Sequence, residues 1–401
     1  FLIGKKRAMK KAAISLHYSA GKFVDREAEI EKVLSKARAL AERRPVDRRT
    51  VIFIGERGTG KSWLLAHLQN ELGALPGVVV FLVSLGEYAG WDPILTVADL
   101  LKRLSAATGG RREGLGATLA DMSRNLMQDV RQWLGEQAFV LLVDQVYESD
   151  WRLLAALEDY LLGPLAVEPR ALIVMAGRGR AYPWKTPELR LKAEFIDLWP
   201  FPDESTTAEQ LKRQHKKAVP RAPDIHALSG GNPLANYLLA VHDDPAAALD
   251  QVIEGMLETG PAAQRRQVRD YLEALCVLNS FDEERIPTML AAYYDDESYR
   301  RWSYAQARQV REELVKWAFA RWDADRGGYV LDGPTRRLLE RYLETARRDQ
   351  WERLQNAASA LYTGWAQDYP RTKERWQREV EYHIHRLQNP PLKRSFAAAR
   401  A

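Results

Sequence analysis

The segment Gly55-Glu56-Arg57-Gly58-Thr59-Gly60-Lys61-Ser62 holds the residue types and spacing best suited to chemistry in this chain. It fits G-x-x-x-x-G-K-[ST] without deviation, the spacing of a loop that cradles phosphates. Its glycines let the backbone wrap closely around oxygens with the N–H groups turned inward. A following helix adds its N-terminal amides and dipole. Lys61 then reaches the β- and γ-phosphates of a nucleotide, and the Ser62 hydroxyl ligates Mg²⁺. Trp63, next in the chain, joins residues 55–62 in the expected binding set. A second constellation is Phe139-Val140-Leu141-Leu142-Val143-Asp144, an apolar strand ending in a carboxylate. In a parallel sheet that carboxylate emerges beside the phosphate loop, where Asp144 would hold Mg²⁺ through water. Gln145 follows. A glutamine orients water but cannot take its proton, so Glu148, four residues beyond Asp144, is the alternative base. Slow hydrolysis of ATP is the expectation.

These groups need a frame. Five short apolar runs, at 51–54, 78–85, 139–143, 172–175 and 195–198, read as strands buried on both faces. Helical stretches separate them. The one at 61–72 places Leu64, Leu65, Leu68 and Leu72 on one face. Alternating strand and helix predicts an α/β fold, a five-stranded parallel P-loop NTPase sheet with helices on both sides. A glycine-rich loop at 109–116 interrupts it.

From about Asp203 the pattern is mostly helical. Thr206-x-x-Glu209 has the form of a capping box opening the first of these helices. Gly230-Gly231 and Pro233 mark a loop and a helix start. Further on come helices around 271–278, 286–293 and 304–319, then two short strands within 321–331 joined by a glycine-containing turn, and a helix after Pro334. Three helices followed by a hairpin outline a winged helix. The tail at 349–387 repeats Trp351, Leu354, Ala358, Leu361 and Trp365 at helical spacing. Half of the twelve tryptophans lie beyond residue 300, and that spacing assigns them to packing rather than to base stacking. The expected division is a basic arm (1–22), a nucleotide-binding core (23–202), a helical lid (203–261), a winged-helix domain (262–345) and a C-terminal helical segment (346–401).

Taken together, these residues resemble the STAND class of AAA+-related ATPases, which includes the NB-ARC and NACHT groups. Phe23-Val24-Asp25-Arg26-Glu27 resembles the family's "hydrophobic-hydrophobic-G-R-E" motif near the adenine, with Asp25 in place of the glycine. Arg178, in Val174-Met175-Ala176-Gly177-Arg178, resembles the sensor arginine that reads the γ-phosphate. Leu198-Trp199-Pro200-Phe201 resembles the "L-x-P-L" exit into the lid. Gly231-Asn232-Pro233 resembles the lid's G-x-P motif, whose proline packs on the base. The resemblance therefore implies roles at the nucleotide for Val24, Arg26, Arg178 and Pro233. Two features depart from it. Asp144-Gln145-Val146-Tyr147-Glu148 is not the NACHT D-G-h-D-E pattern, although Glu148 matches its last acid. The histidine of the winged-helix "h-H-D" motif would fall within Leu331-Asp332-Gly333 and is absent.

Other chemistries find less support. No run approaches 18 apolar residues, so no membrane span is expected. A single cysteine, Cys276, rules out a disulfide framework, fits a reducing cytoplasmic setting and sits in an apolar helix as a core residue. The histidines do not sit at metal-binding spacing; His383 and His385, two apart on a helix, face different sides. The net charge is +5, but the first 22 residues carry +6 and no acid, leaving the rest near neutral. The third helix of the winged unit balances Arg308, Arg311 and Lys316 against Glu312 and Glu313, which favours an intramolecular clamp over a DNA reader. A chain opening on Phe1 rather than Met reads as a piece of something longer.

The expectation is thus an ATP- or ADP-binding, Mg²⁺-dependent switch. Exchange or slow hydrolysis would open it and permit homo-oligomerisation for signalling or antiviral defence, with an effector or sensor outside this chain. The alternative is a DNA-associated AAA+ ATPase, akin to origin-recognition initiators or transposition ATPases, that uses its winged helix on DNA. A small-molecule kinase would share the phosphate loop but would need neither lid motif nor winged helix.

Overall fold

The structure, a computed structural model, describes residues 18–88, 90–107, 118–135, 137–178, 182–257, 262–317 and 319–389. Most of the basic arm and the glycine-rich loop at 109–116 lie outside the described residues. Five strands, β1 (Thr50–Ile54), β2 (Val78–Ser84), β3 (Ala138–Asp144), β4 (Ala171–Gly177) and β5 (Ala193–Asp197), form a parallel sheet in the order β2-β3-β4-β1-β5. The three inner strands are buried nearly throughout. Their side chains divide by the period of two that a pleated strand imposes. Val51, Phe53, Val140, Leu142, Leu172 and Val174 face the helices Glu27–Ala41 and Lys61–Gly73. Ile52, Leu141, Val143, Ile173 and Met175 face the helices Pro93–Ala107, Leu119–Leu134 and Trp151–Leu157. The predicted face of the helix Lys61–Gly73 is there, with Leu64, Leu65, Leu68 and Leu72 all buried.

Two strands depart from the expectation of burial on both faces. β2 is mostly half-buried, and in β5 Phe195 is 47% exposed. Both are edge strands. An apolar run reports strand propensity but not whether a second neighbour and a covering helix will be present.

Beyond β5 the described residues are helical except for one hairpin. The first of these helices, Glu204–Gln214, starts one turn earlier than the capping-box reading implies. Asp203 is its cap and accepts from the Thr206 N–H at 2.8 Å. Glu209 instead pairs with Arg213 at 2.8 Å. A carboxylate with β-region backbone outcompetes a threonine three residues inside the helix. The helices Ala222–Ser229, Pro233–Val241 and Pro245–Leu257 follow. Next come Ala262–Leu275, Arg285–Tyr294 and Tyr304–Lys316, then the antiparallel pair β6 (Ala320–Asp323) and β7 (Gly328–Leu331). Phe281 bridges to Tyr329 as a third, minimal strand. Helices Gly333–Ala346, Arg348–Asp368 and Lys373–Gln388 complete the described chain. No described helix is long and apolar enough to cross a membrane.

One buried apolar cluster runs from Leu211 to Tyr362, with Trp376, Val380 and Leu387 of the last helix packed against it, and Cys276 lies inside it. In the tail the buried face is Trp351, Leu354, Ala358, Tyr362 and Ala366, so Tyr362 takes the place expected for Leu361. Trp322, on the hairpin, is 57% exposed and is an exception to the packing assignment of the late tryptophans. His383 is fully buried against the Tyr362 ring, with its Nδ1 2.6 Å from Gln355 Oε1; burial holds its pKa down at about 3, so the ring is neutral.

Candidate nucleotide site

β1 ends at Ile54, and Gly55 begins a loop tied to the neighbouring strand by its N–H bond to Gly177 O at 3.3 Å. β1 lies between β4 and β5 while the next strand in sequence lies at the far edge. The sheet therefore opens a crevice at the carboxyl end of β1, where α/β sheets take ligands. Gly58 and Gly60 have φ of +85° and +94°, a conformation that side chains on Cβ disfavour. Gly58 has a second reason: a Cβ there would stand 2.5 Å from Asn232 Oδ1. The loop closes on itself through Thr59 Oγ1, which donates to Glu56 O at 2.9 Å. Lys61 Nζ donates to Gly55 O at 2.6 Å and to Glu56 O at 2.8 Å. Its ammonium is buried, and burial pulls its pKa down against the raising pull of Glu148, Glu56 and Asp144. A cation so placed, at the start of a helix, is ready for an anion.

Around this loop lies a cleft of about 580 Å³, within the size range of small-molecule sites. Arg57, Gly58, Thr59, Gly60, Lys61, Ser62 and Trp63 border it, as do Val24, Arg26, Asp144, Gln145, Glu148, Arg178 and Pro233. Gly55 and Glu56, the first two residues of the loop, do not border the cleft. All but these two of the residues singled out from the sequence therefore meet in one cavity.

Asp144 ends β3 opposite Ser84 of β2 and stands beside Ser62, whose side chain hydrogen-bonds to its carboxyl. It also accepts from the Gln145 N–H at 2.9 Å. Burial raises the Asp144 carboxyl, while Ser62 and Lys61 hold it down. An exposed hydroxyl touching a buried carboxylate beside a lysine is an oxygen donor set suited to Mg²⁺, and these residues fit that ion.

Gln145 and Glu148 differ in freedom. Gln145 adopts φ of +58°, and its amide leans on the turn after β2, where a Cβ at Gly86 would lie 1.9 Å from Oε1. Glu148 Oε2 is buried and has no hydrogen-bond partner among the described residues. Burial raises its carboxyl most, with Lys61 and Arg178 pulling the other way. A carboxylate with an open lone pair and a raised pKa is chemically able to take a proton from water.

The helical units close over the loop at three points. Asn232 caps the helix Pro233–Val241 and sends Nδ2 to Arg57 O at 2.9 Å, while the Leu234 N–H donates to Gly58 O at 3.2 Å. The tight path into this cap uses Gly230 and Gly231 at φ of +61° and +79°, as the glycine pair predicts. Arg178 donates to Met256 O at 2.7 Å and stacks 5.3 Å from the Phe319 ring centre, so it is engaged with both the helix Pro245–Leu257 and the hairpin unit. Thr335 Oγ1, at the start of the helix Gly333–Ala346, donates to Glu56 Oε2 at 3.2 Å.

The segment leading to the first helix forms the cleft's other wall. Asp25 and Arg26 have φ of 66° and 80°. Aspartate tolerates that region, which is why it can stand where the resembled motif has glycine. Arg26 bonds to Thr59 O and Trp199 O, tying this segment to the phosphate loop and to the exit from β5. Phe23 stacks on His67 at 4.4 Å, and the Phe23 carbonyl accepts from Arg213 at 2.6 Å. Four groups were not singled out from the sequence: Gln210, Gln214, Asp332 and Thr335. The two glutamines border the cleft and chain their amides to each other, to Pro233 O and to Lys22 O. Their i, i+4 spacing on a lid helix is the only trace they leave in the sequence.

Among solved structures the chain is similar to the Orc1 protein of Aeropyrum pernix in complex with DNA, at 15% identity over 80% of this chain and 93% of that one, with a TM-score of 0.36. It is similar to Cdc6p from Pyrobaculum aerophilum at 11% identity, over 82% and 97%, with a TM-score of 0.42. It is also similar to a STAND protein with a tetratricopeptide repeat sensor from Pyrococcus horikoshii, at 16% identity over 92% of this chain and 56% of that one, with a TM-score of 0.36. No protein-family model and no curated protein matches the sequence.

Proposed function

We propose that this chain is an ATP/ADP-binding molecular switch of the STAND type, in which the nucleotide governs whether the helical units stay closed on the phosphate loop. The observation that carries the reading is the triple closure: Asn232 on Arg57 O, Arg178 on Met256 O, and Thr335 on Glu56. Every one of these contacts involves the phosphate loop or the arginine beside it. A γ-phosphate drawing on Lys61 and Arg178 would compete with the Arg178–Met256 contact, so ATP would favour the open form over the closed one.

In this reading Lys61 and the loop amides hold the phosphates, and Ser62 and Asp144 hold Mg²⁺, which supplies charge neutralisation at the phosphates. Pro233 and Val24 flank the base. Glu148 receives the water proton during slow hydrolysis, and Gln145 is limited to orienting. The open form oligomerises in the cytoplasm and engages an effector or sensor in signalling or defence. Among the charges of the hairpin unit, Arg308 pairs with Glu312, Lys316 with Glu313 and Arg326 with Asp323. Cations already neutralised this way are poor phosphate contacts, which supports a clamp over a DNA reader.

Gel filtration tests the switch. With ADP the chain is expected to run as a monomer, and with a non-hydrolysable ATP analogue and Mg²⁺ as a larger species. A monomer under both conditions contradicts it.

A further inference from the structure

Glu56 is the one phosphate-loop side chain whose role nucleotide binding does not account for. It is 9% exposed and does not border the cleft. Its Oε2 accepts from Thr335 Oγ1 at 3.2 Å, and its carboxyl lies within hydrogen-bonding reach of the Asp332 carboxyl. Asp332 is half-buried, caps the helix Gly333–Ala346 and accepts from the Thr335 N–H at 3.0 Å. Two carboxyls in contact, one of them buried, repel when both are ionised, and that repulsion favours a proton shared between them.

The charged groups around the pair do not replace that proton. Arg178, from the end of β4, and Lys61 face Glu56, but Arg178 is bound to Met256 O and Lys61 to Gly55 O and Glu56 O. Arg337, one turn along the helix, faces Asp332. Burial and the Asp332 charge outweigh the two cations and push the Glu56 carboxyl up to about 8; burial raises Asp332 as well. Through Thr335, which donates to Glu56 by its hydroxyl and to Asp332 by its N–H, the two carboxyls join the phosphate loop to the helix that follows the hairpin.

We propose that Glu56 and Asp332 share a single proton and so form a latch that holds the hairpin-bearing unit on the phosphate loop, retaining a bound nucleoside diphosphate while the proton is present and releasing it when the proton is lost. The proposal rests on the nucleotide-switch reading above. The sign follows from linkage. In the open form Glu56 meets water and titrates in the ordinary carboxylate range, so the closed form binds the proton more tightly. Closure is then strongest at low pH and is lost as pH climbs from that range to about 8. One proton changes the closed-to-open ratio by up to about tenfold per pH unit within that window.

The test loads the full chain with a fluorescent ADP analogue and follows its release from pH 6 to pH 8.5. Release is expected to be up to about a hundredfold faster at pH 8.5 than at pH 6, two pH units of that interval lying within the window. Glu56→Gln keeps a donor toward Asp332 without needing the proton, so its release is expected to be slow at both ends. Asp332→Asn is expected to flatten the profile likewise. A purely structural contact would shift the rate equally at every pH. The same slope in wild type and in Glu56→Gln overturns the latch. If the analogue is not retained at any pH, the nucleotide reading fails, and the latch is read by small-angle scattering instead. A radius of gyration that grows between pH 6 and pH 8.5 in wild type but not in Glu56→Gln supports it, and one that is constant in both overturns it.

Discussion

Replacing Lys61 with Ala or Met is expected to leave a folded chain with nucleotide affinity reduced on the order of a hundredfold, as measured by calorimetric titration with Mg–ADP. Among the described residues Lys61 is the one buried ammonium that borders the cleft. A hydrogen bond from a charged donor to a charged acceptor contributes about 1.5–3 kcal/mol, which corresponds to roughly one to two powers of ten in affinity. The loss runs deeper here because Lys61 also offsets the charges of Glu148, Glu56 and Asp144. Without it those carboxyls face an incoming phosphate with less opposing charge. Lys61→Met preserves the stem that packs at the start of the helix Lys61–Gly73, so the affinity loss with Met isolates the charge. Unchanged affinity in both variants would mean that the phosphates do not sit on this loop.

Glu148→Gln is expected to lower steady-state phosphate release by about a hundredfold, the lower end of what a positioned base contributes. The basis is the open lone pair on Oε2, in contrast with the Gln145 amide, which is held over Gly86. Only the ionised carboxylate accepts a proton. Burial raises the Glu148 carboxyl, so the rate should fall on acidification at a higher pH than an exposed glutamate would give. Gln145→Glu puts a second carboxyl next to Asp144 and is expected to have a smaller effect, because the left-handed backbone at that position fixes where its side chain leaves the chain. If Glu148→Gln leaves the rate unchanged, Glu148 is not the base.

Much of this site was legible in the sequence because its parts are local. A phosphate loop needs its glycines and lysine within eight consecutive residues, and a strand ending in Asp144 needs only an apolar run. The Gly230–Gly231 pair and Pro233 likewise encode a turn in their own backbone preferences. What was not legible is long-range. Nothing near Glu56 announces that Asp332 and Thr335, some 280 residues away, will meet it. The missing histidine of the resembled motif drew attention to Leu331-Asp332-Gly333 but not to what Asp332 does there. Edge position, too, is a property of the assembled sheet, so the apolar runs of β2 and β5 could not reveal their half-exposed faces. The cap at Asp203 was missed for a simpler reason: two cap patterns overlapped, and the stronger acceptor won.

The central claim is that a nucleotide belongs in the cleft beside Lys61. It is tested most directly by denaturing the freshly purified chain and chromatographing what is released. The account predicts about one equivalent of ADP per chain, lost in Lys61→Ala. A chain that releases no nucleotide and takes up neither ADP nor ATP with Mg²⁺ would contradict it.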